Sequence, residues 1–534
     1  MKKLIILGAG KGSRLEEYTL GFLHKSLLST GNSTIIESIL DIYSKKVNKV
    51  LIILSSQHKY LEKYLNSVYQ NENIEKIEYF YCDDQSGSFS PLYKALKIYP
   101  EFRNQVYINW CDLVPEEIIE CDTNTAFTSN DINCRYAYSK KDSSFVLSSS
   151  GNIVGSFYFE SLNLNNNNYE NTSKTEEYDF LDNLNDTGLS KNINISPIKI
   201  LDYGDVKKYK NQLQHRTLKR CRWFNNITVK KDIVVKSSNC EYGNEVMKNE
   251  INWYLGINNI LGKEIKEVPK IIEYDTSSKL FSFSMERLSG TTVFEYLNND
   301  KNKDHFHHNN ILKNILESLD NLHKQVNKLN SFKFKNLKID HKDIENEYYK
   351  TTLERFKKIK YIIPNLDTIE YVNDEKVFNY ANIFQIIENF VDKYKNKVKA
   401  AIIHGDPNLS NTMITKDLNI KFIDPRGSFG GKSSILGDPN YDFAKCYYGF
   451  SGYDFFNNSI DFKIDKLSKN SILFKTYNII NEEESFKENP EIFFIVGIIW
   501  MKLPYYIRNN PLKSIAAFYN GIRIISKVYP LLKI

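Results

Sequence analysis

A chain of 534 residues is too long for one hydrophobic core, so roughly two to four domains are expected. With 41% hydrophobic and 25% charged residues, it has the composition of an ordinary soluble globular protein. A net charge of +6 over this length suits phosphate-bearing small molecules, and it forms no basic stripe of the kind that marks a nucleic-acid interface. The opening MKKLIILGAGKG has too short an apolar run for a secretory leader and reads as a first β-strand.

Through the first ~200 residues strand-like and helix-like segments alternate, which predicts an α/β domain with a mainly parallel sheet. Leu4–Gly8, Lys49–Ser56 and Gln105–Trp110 are the clearest strands. TIIESILDIYSKK and QHKYLEKYLNSVY are helical by periodicity. Leu162–Lys174 is polar and loop-like. Val206–Arg220 is basic and polar, and the domain boundary is placed near residue 211, giving domains 1–211 and 212–534. Beyond it, short strands in NNITV, DIVVK and KLFSFSME form a small lobe over about 212–292, followed by long helices over 293–534. The longest apolar run, Ile492–Met501, is half a bilayer span and predicts a buried helix, so no membrane insertion is expected. The seven cysteines (Cys82, Cys111, Cys121, Cys134, Cys221, Cys240 and Cys446) form no CxxC or Cys/His cluster. No zinc site is therefore expected, and the odd, unpatterned count fits a reducing, cytoplasmic setting.

Leu7-Gly8-Ala9-Gly10-Lys11-Gly12-Ser13-Arg14-Leu15 follows the first strand directly. Alternating glycines leave the backbone bare, so its N–H groups can wrap a triphosphate. The dinucleotide fingerprint needs glycine where Ser13 stands, and the P-loop pattern is also unmet. The motif resembles the G-x-G-x-R-L loop of sugar-phosphate nucleotidyltransferases, the MobA-like NTP transferase family. Lys25 in HKSLL stands where that family has its Pro-Lys-Pro lysine, with His24 and Ser26 replacing both prolines. NWCDLVP puts Asp112 at a strand end, where the family keeps a magnesium-binding Asp. QSGSFSPLYKAL, which contains Ser88, resembles the loop and helix that contact the nucleobase. KILDYGDVKKY resembles the W-x-D-x-G-T-x-x-x-Y segment that supplies a second metal carboxylate. That would be Asp202, with Asp205 at the Thr position as its rival. The resemblance implies a Rossmann-like domain that binds an NTP through Leu7, Gly8, Ala9, Gly10, Gly12, Ser13 and Ser88. Arg14, Lys25 and Mg²⁺ would offset phosphate charge while a phosphate monoester attacks the α-phosphorus and pyrophosphate leaves.

Residues Ile402–Gly427 read IIHGDPNLSNTMITKDLNIKFIDPRG. Phosphoryl transfer from ATP needs a carboxylate to take up the acceptor's proton. It also needs an amide oxygen and a second carboxylate to hold magnesium. Asp406, Asn411 five residues on, and Asp424 thirteen after that supply those groups. The spacing resembles the catalytic loop and metal-binding Asp of the aminoglycoside phosphotransferase and choline kinase-like family, relatives of protein kinases. The resemblance implies a two-lobed, protein-kinase-like α+β domain. In it Lys236 contacts the ATP phosphates, Glu250 pairs with Lys236, and the strand Phe281–Leu288, with Glu286, lies beside the base. Asp406 is the catalytic base, and Asn411 and Asp424 hold Mg²⁺. Asp442, in GDPNYDFAK, and His404 brace the catalytic loop. No glycine-rich loop precedes Lys236, and Pro-Arg-Gly follows Asp424 where Phe-Gly is usual. Arg426 can meet an anionic substrate or make a surface ion pair. Val326–Ala400 predicts a helical insertion of the kind from which the family builds its acceptor pocket. NEYYKTTLERF is a candidate there, and an amphipathic core stripe explains its aromatics equally well.

Together the motifs predict a bifunctional enzyme. One half phosphorylates a small alcohol or amino-alcohol with ATP, and the other couples that phosphate to an NTP. The combination resembles the choline kinase and phosphocholine cytidylyltransferase pair of bacteria that decorate surface glycans, which implies CTP as donor. The alternatives are a sugar kinase joined to a sugar-1-phosphate nucleotidyltransferase, or one half acting as a non-catalytic scaffold or regulator.

Overall fold

The computed structural model describes residues 2–10, 12–31, 33–83, 87–164, 179–216, 225–261, 266–299, 305–326, 339–417, 419–459 and 462–533. The readings for Leu162–Lys174, Val206–Arg220 and Val326–Ala400 lie partly outside these residues, as do Lys11, Gln85 and Cys221. The chain divides into two compact units. One is Met1–Leu218 with Lys358–Pro364 and Arg508–Pro511; the other is Lys219–Lys357, Asn365–Ile507 and Leu512–Ile534. Residue 211 lies inside the helix Val206–Arg216. The basic, polar stretch around that position is helical over this range.

The strands of the first unit are β1 (Lys2–Gly8), β2 (Val47–Leu54), β3 (Lys76–Tyr81), β4 (Asn104–Trp110), β5 (Leu113–Pro115), β6 (Thr125–Thr128), β7 (Cys134–Ser139), β8 (Ser144–Gly151), β9 (Ile153–Ser161), β10 (Asn194–Pro197) and β11 (Ile200–Asp202). Seven of them form one sheet in the order β10-β6-β9-β4-β1-β2-β3. The sheet is mainly parallel, with β9 antiparallel to both β4 and β6. The reason is visible in β1 and β2. Leu4–Leu7 and Val50–Leu54 are unbroken apolar runs, buried along their length, as strands covered on both faces must be. The helix Ile35–Tyr43 begins at a capping box between Thr34 and Glu37 and buries Ile35, Ile36, Ile39 and Leu40. Ile5, Leu92, Phe102, Ile108, Phe157 and Phe180 belong to one core cluster.

From β1 the chain moves to β2 and β3 on one side, then returns to place β4 on the other side of β1. In open α/β sheets ligands bind beyond the carboxyl ends of strands at such a reversal. Gly8 ends β1 and Trp110 ends β4, so both motifs leave the sheet at this point.

The second unit opens with an antiparallel sheet of β12 (Asn225–Val229), β13 (Ile233–Ser238), β14 (Ile271–Asp275) and β15 (Ser282–Glu286), in the order β12-β13-β15-β14. The helix Glu241–Leu261 follows β13. Longer helices come after, including His305–Lys324, Tyr380–Tyr394, Pro439–Phe450, Pro490–Tyr506 and Pro511–Val528. The helix Pro490–Tyr506 is buried continuously from Phe493 to Pro504. No helix among the described residues is long and apolar enough to cross a membrane. The insertion Val326–Ala400 is not purely helical. Tyr371–Val372 and Glu375–Lys376 pair across Asn373 and Asp374, which take φ of 50° and 63°. Asn and Asp tolerate that left-handed turn, and the tight hairpin needs it.

Candidate functional site

Two glycines shape the loop after β1 for different reasons. Gly12 sits at φ 67°, a left-handed conformation, just before the 3-10 turn Ser13–Leu15 that carries Arg14. At Gly8 a Cβ would come within 3.1 Å of the Ile53 carbonyl oxygen and 3.2 Å of the His24 ring, so close approach decides it. Leu7, Ala9, Gly10, Gly12, Ser13, Arg14 and Lys25 line a cavity of about 690 Å³, with Gly8 behind them. Ser88 lines the same cavity just before the helix Phe89–Ile98; its hydroxyl donates to Asp179 Oδ1 at 3.3 Å. The volume falls within the range of sites for small organic ligands.

Asp112 lies in the turn between β4 and β5, Asp202 ends β11, and strand pairing brings them together. β11 runs antiparallel to β5 with Asp202 opposite Leu113, and the Tyr203 amide donates to the Asp112 carbonyl at 2.9 Å. Asp112 Oδ2 and Asp202 Oδ1 lie 3.3 and 3.0 Å from the point where a Cβ would stand on Gly204, and Arg14 Nη2 is 3.7 Å from it. Each carboxylate carries a lysine. Lys25 Nζ is 2.5 Å from Asp112 Oδ2, and Lys208 Nζ is 2.6 Å from Asp202 Oδ2. Burial works against ionising Asp112, yet Lys25 and then Arg14 hold its carboxyl below the usual range. Burial likewise opposes the Lys25 ammonium, and Asp112 outweighs it, raising the lysine. Two convergent carboxylates beside space for phosphates fit Mg²⁺, which takes a few protein oxygens and fills its shell from substrate and water. No cluster of three or more His, Cys, Asp or Glu suited to a metal occurs among the described residues. Asp205, the rival to Asp202, does not line the cavity. Its carboxylate accepts from the Lys208 amide at 2.9 Å, and its carbonyl from the Tyr209 amide, so it caps the helix Val206–Arg216.

The second unit brings its sequence candidates together around Lys236. This lysine on β13 is 3% exposed; its Nζ lies 2.8 Å from Glu250 Oε1 and 2.5 Å from Asp424 Oδ1. Burial opposes the ammonium, but Asp424 and then Glu250 raise it. Asn411 Nδ2 donates to Asp406 Oδ2 at 3.1 Å and to its carbonyl at 3.0 Å. Asp424 takes φ of 60°, Gly405 85° and Gly427 62°. Asp442, fully buried, accepts the His404 and Gly405 amides, each at 2.7 Å, and lies 3.0 Å from His323 Nε2. His404 is buried, and its Nδ1 accepts from the Asp406 amide at 3.3 Å; burial lowers its pKa. Glu286 closes β15, and its amide donates to the Lys270 carbonyl at 2.9 Å. That amide is therefore taken up within the protein.

Arg426 makes an ion pair, but with a buried partner. It makes a bidentate pair with Glu347 at 3.0 and 3.2 Å and donates to the Tyr441 hydroxyl at 2.9 Å. Glu347, 3% exposed, also takes Lys502 Nζ at 2.8 Å. Burial, ahead of nearby cations, drives Lys502 down to about 7. Glu347 and Tyr348 of NEYYKTTLERF are buried, so this part of the stretch is core.

Sequence reading missed three side chains. Lys208 holds Asp202, and Lys445 Nζ lies 3.0 Å from Asp406 Oδ1. Asp454 accepts the Leu409 and Ser410 amides at 3.1 and 3.0 Å. Lys445 follows Asp442 by one helical turn, a spacing that could have signalled it. Asp454 carries no local signal.

No family model matches the chain, and no curated protein matches it. Among solved structures it is similar to a UTP-bound UGPase from Acinetobacter baumannii, at 12% identity and TM-score 0.33, over 41% of this chain and 94% of that one. It is similar to HddC from Yersinia pseudotuberculosis at 15% identity and TM-score 0.30, over 40% and 99%. It is also similar to an apo UDP-glucose pyrophosphorylase at 14% identity and TM-score 0.32, over 41% and 100%. At this identity and these scores the likeness carries no weight for activity or residue roles.

Proposed function

We propose that the first unit is a nucleotidyltransferase and the second an ATP-dependent small-molecule kinase, acting in the cytoplasm on nucleotides and a small hydroxyl compound. The observation that carries the reading is the convergence of Asp112, Asp202 and Arg14 on one point in a cavity floored by the glycine loop. In the first unit the loop amides around Gly10, Gly12 and Ser13 receive the triphosphate. Arg14 and Lys25 offset its charge and hold it in line. A phosphomonoester oxygen bonds to the α-phosphorus as the α–β bridge breaks and pyrophosphate leaves. Asp112 and Asp202 would hold Mg²⁺, which supplies charge neutralisation on the phosphates when bound.

In the second unit Glu250 fixes Lys236 for the ATP phosphates. Asp406 takes the acceptor's hydroxyl proton while that oxygen bonds to the γ-phosphorus and ADP leaves. Asn411 turns its amide nitrogen to Asp406, leaving its oxygen side for a cation, so Asn411 and Asp424 fit as Mg²⁺ ligands.

Trp110 and Tyr136 line the first cavity together with Asp179, which accepts the Tyr136 hydroxyl at 2.8 Å. Arg135 lies over the Tyr136 ring and 3.6 Å from Asp179, so the preference for an amino-alcohol phosphate over a sugar phosphate rests on the family resemblance. CTP as donor, and a destination in surface polysaccharide or lipid decoration, rest on the family resemblance. The test is a panel of alcohols, amino-alcohols and sugars with ATP, CTP and Mg²⁺, followed by phosphorus NMR. Amino-alcohols should give a phosphomonoester and then a CDP-linked diester with pyrophosphate. Turnover of sugars alone would favour the sugar-nucleotide reading, and no phosphorus product with any acceptor would remove both.

A further inference from the structure

One buried side chain touches the loop of the first site without entering the cavity. His24 is 1% exposed and stands where the family resemblance leads one to expect proline. Its Nε2 is 2.8 Å from the Gly8 carbonyl oxygen. Its Nδ1 is 2.7 Å from Ser26 Oγ and 3.3 Å from the Ser26 amide. A carbonyl only accepts, so Nε2 carries the hydrogen; an amide only donates, so Nδ1 accepts. One neutral tautomer satisfies both. Burial, with His58 next in weight, pushes the ring down to about 3. The His58 ring meets it edge-on at 4.7 Å and is itself 2.9 Å from Ser55 Oγ.

The two nitrogens hold two different parts of the site. Gly8 is the last residue of β1, and its ladder with β2 ends at the pair Gly8–Leu54. Ala9, Gly10 and Gly12 then enter the cavity wall. The other nitrogen caps the turn Lys25–Leu27, which delivers Lys25 to Asp112. Gly8 is shaped to this ring, since a Cβ there would stand 3.2 Å from both His24 Cε1 and Nε2. Proline in place of His24 would provide neither nitrogen.

We propose that His24 is a positioning residue for the nucleotide: its ring ties the exit of β1 to the turn bearing Lys25, so that the loop amides and the Lys25 ammonium are set in one frame to receive an NTP triphosphate. This rests on the nucleotidyltransferase reading of the first unit. Two variants of the full chain separate the ring's two bonds. His24→Asn keeps an acceptor near Ser26 and loses the donor to Gly8; His24→Gln reaches Gly8 and loses the acceptor. Calorimetric titration with CTP·Mg²⁺ and UTP·Mg²⁺ should show binding weakened in both variants, by about tenfold in His24→Asn and by less in His24→Gln. Equal affinity in wild type and a folded His24→Asn would overturn the inference. Wild type that binds neither nucleotide would instead sink the nucleotidyltransferase reading. Should His24→Asn not fold, ¹⁵N NMR of the wild-type imidazole decides. A neutral Nε2–H ring at about pH 5.5 to 8, shifting when CTP·Mg²⁺ is added, supports the role. A charged ring, an Nδ1–H tautomer, or a resonance indifferent to the nucleotide overturns it.

Discussion

The first unit holds its candidate site with backbone, and the second with buried acids. In the first, Ala9, Gly10, Gly12 and Ser13 line one cavity with Asp112 and Asp202, and each carboxylate keeps its own lysine. In the second, a single lysine, Lys236, is shared between Glu250 and Asp424, and the loop 404–411 is pinned from beneath by Asp442 and Asp454. A loop that receives phosphates on its own N–H groups needs glycines and a sheet to hang from. A loop that presents side chains has amides turned inward, and these need buried carboxylates to accept them.

The contrast can be broken at several points. The largest effect is expected at Asp112→Ala, which should cut pyrophosphate release by roughly a hundred- to a thousandfold and leave ADP formation unchanged. A parallel fall in ADP formation in the folded variant would show that the two chemistries are not separate. Asp442→Ala leaves two buried amides without their acceptor and should cost about 3 kcal/mol in denaturant unfolding. A loss below about 0.5 kcal/mol, the scatter of ordinary surface substitutions, would mean that the loop does not hang on this carboxylate. Asp205→Ala removes a helix cap, so a loss of about 1 kcal/mol with nucleotidyl transfer retained is expected; lost metal-dependent turnover would return Asp205 to the metal site.

The smallest effect is a pH slope. Burial pushes Asp454 up to about 6. A carboxyl raised above its unfolded value binds more protons folded than unfolded. Its stabilising contribution is therefore complete below the unfolded pKa, near 4, and is lost as pH rises through about 6. Asp454→Asn should flatten wild-type stability between those values; an unchanged slope would place the titration elsewhere.

What could be read from the sequence follows the same division. Strands β1, β2 and β4, the buried helix Pro490–Tyr506 and the glycine loop were legible because each is written in consecutive residues. The candidates around Lys236 were legible through fixed spacings. Lys208, Asp454 and the Glu347–Arg426–Lys502 cluster were not, since their meaning lies in partners far along the chain or in a fold-dependent approach. The bond between His24 and Gly8 spans sixteen residues, and only a departure from the family pattern hinted at it. The helix Val206–Arg216 was not legible, since its basic, polar sequence carries little apolar periodicity.

The measurement that bears most directly on the account is nucleotidyl transfer by full-length Asp406→Ala. With ATP, CTP, Mg²⁺ and a free amino-alcohol, this variant should form neither phosphomonoester nor diester. Given the phosphomonoester directly, it should form diester and pyrophosphate at the wild-type rate. If the folded variant fails with the supplied phosphomonoester while wild type succeeds, the two-site account is wrong.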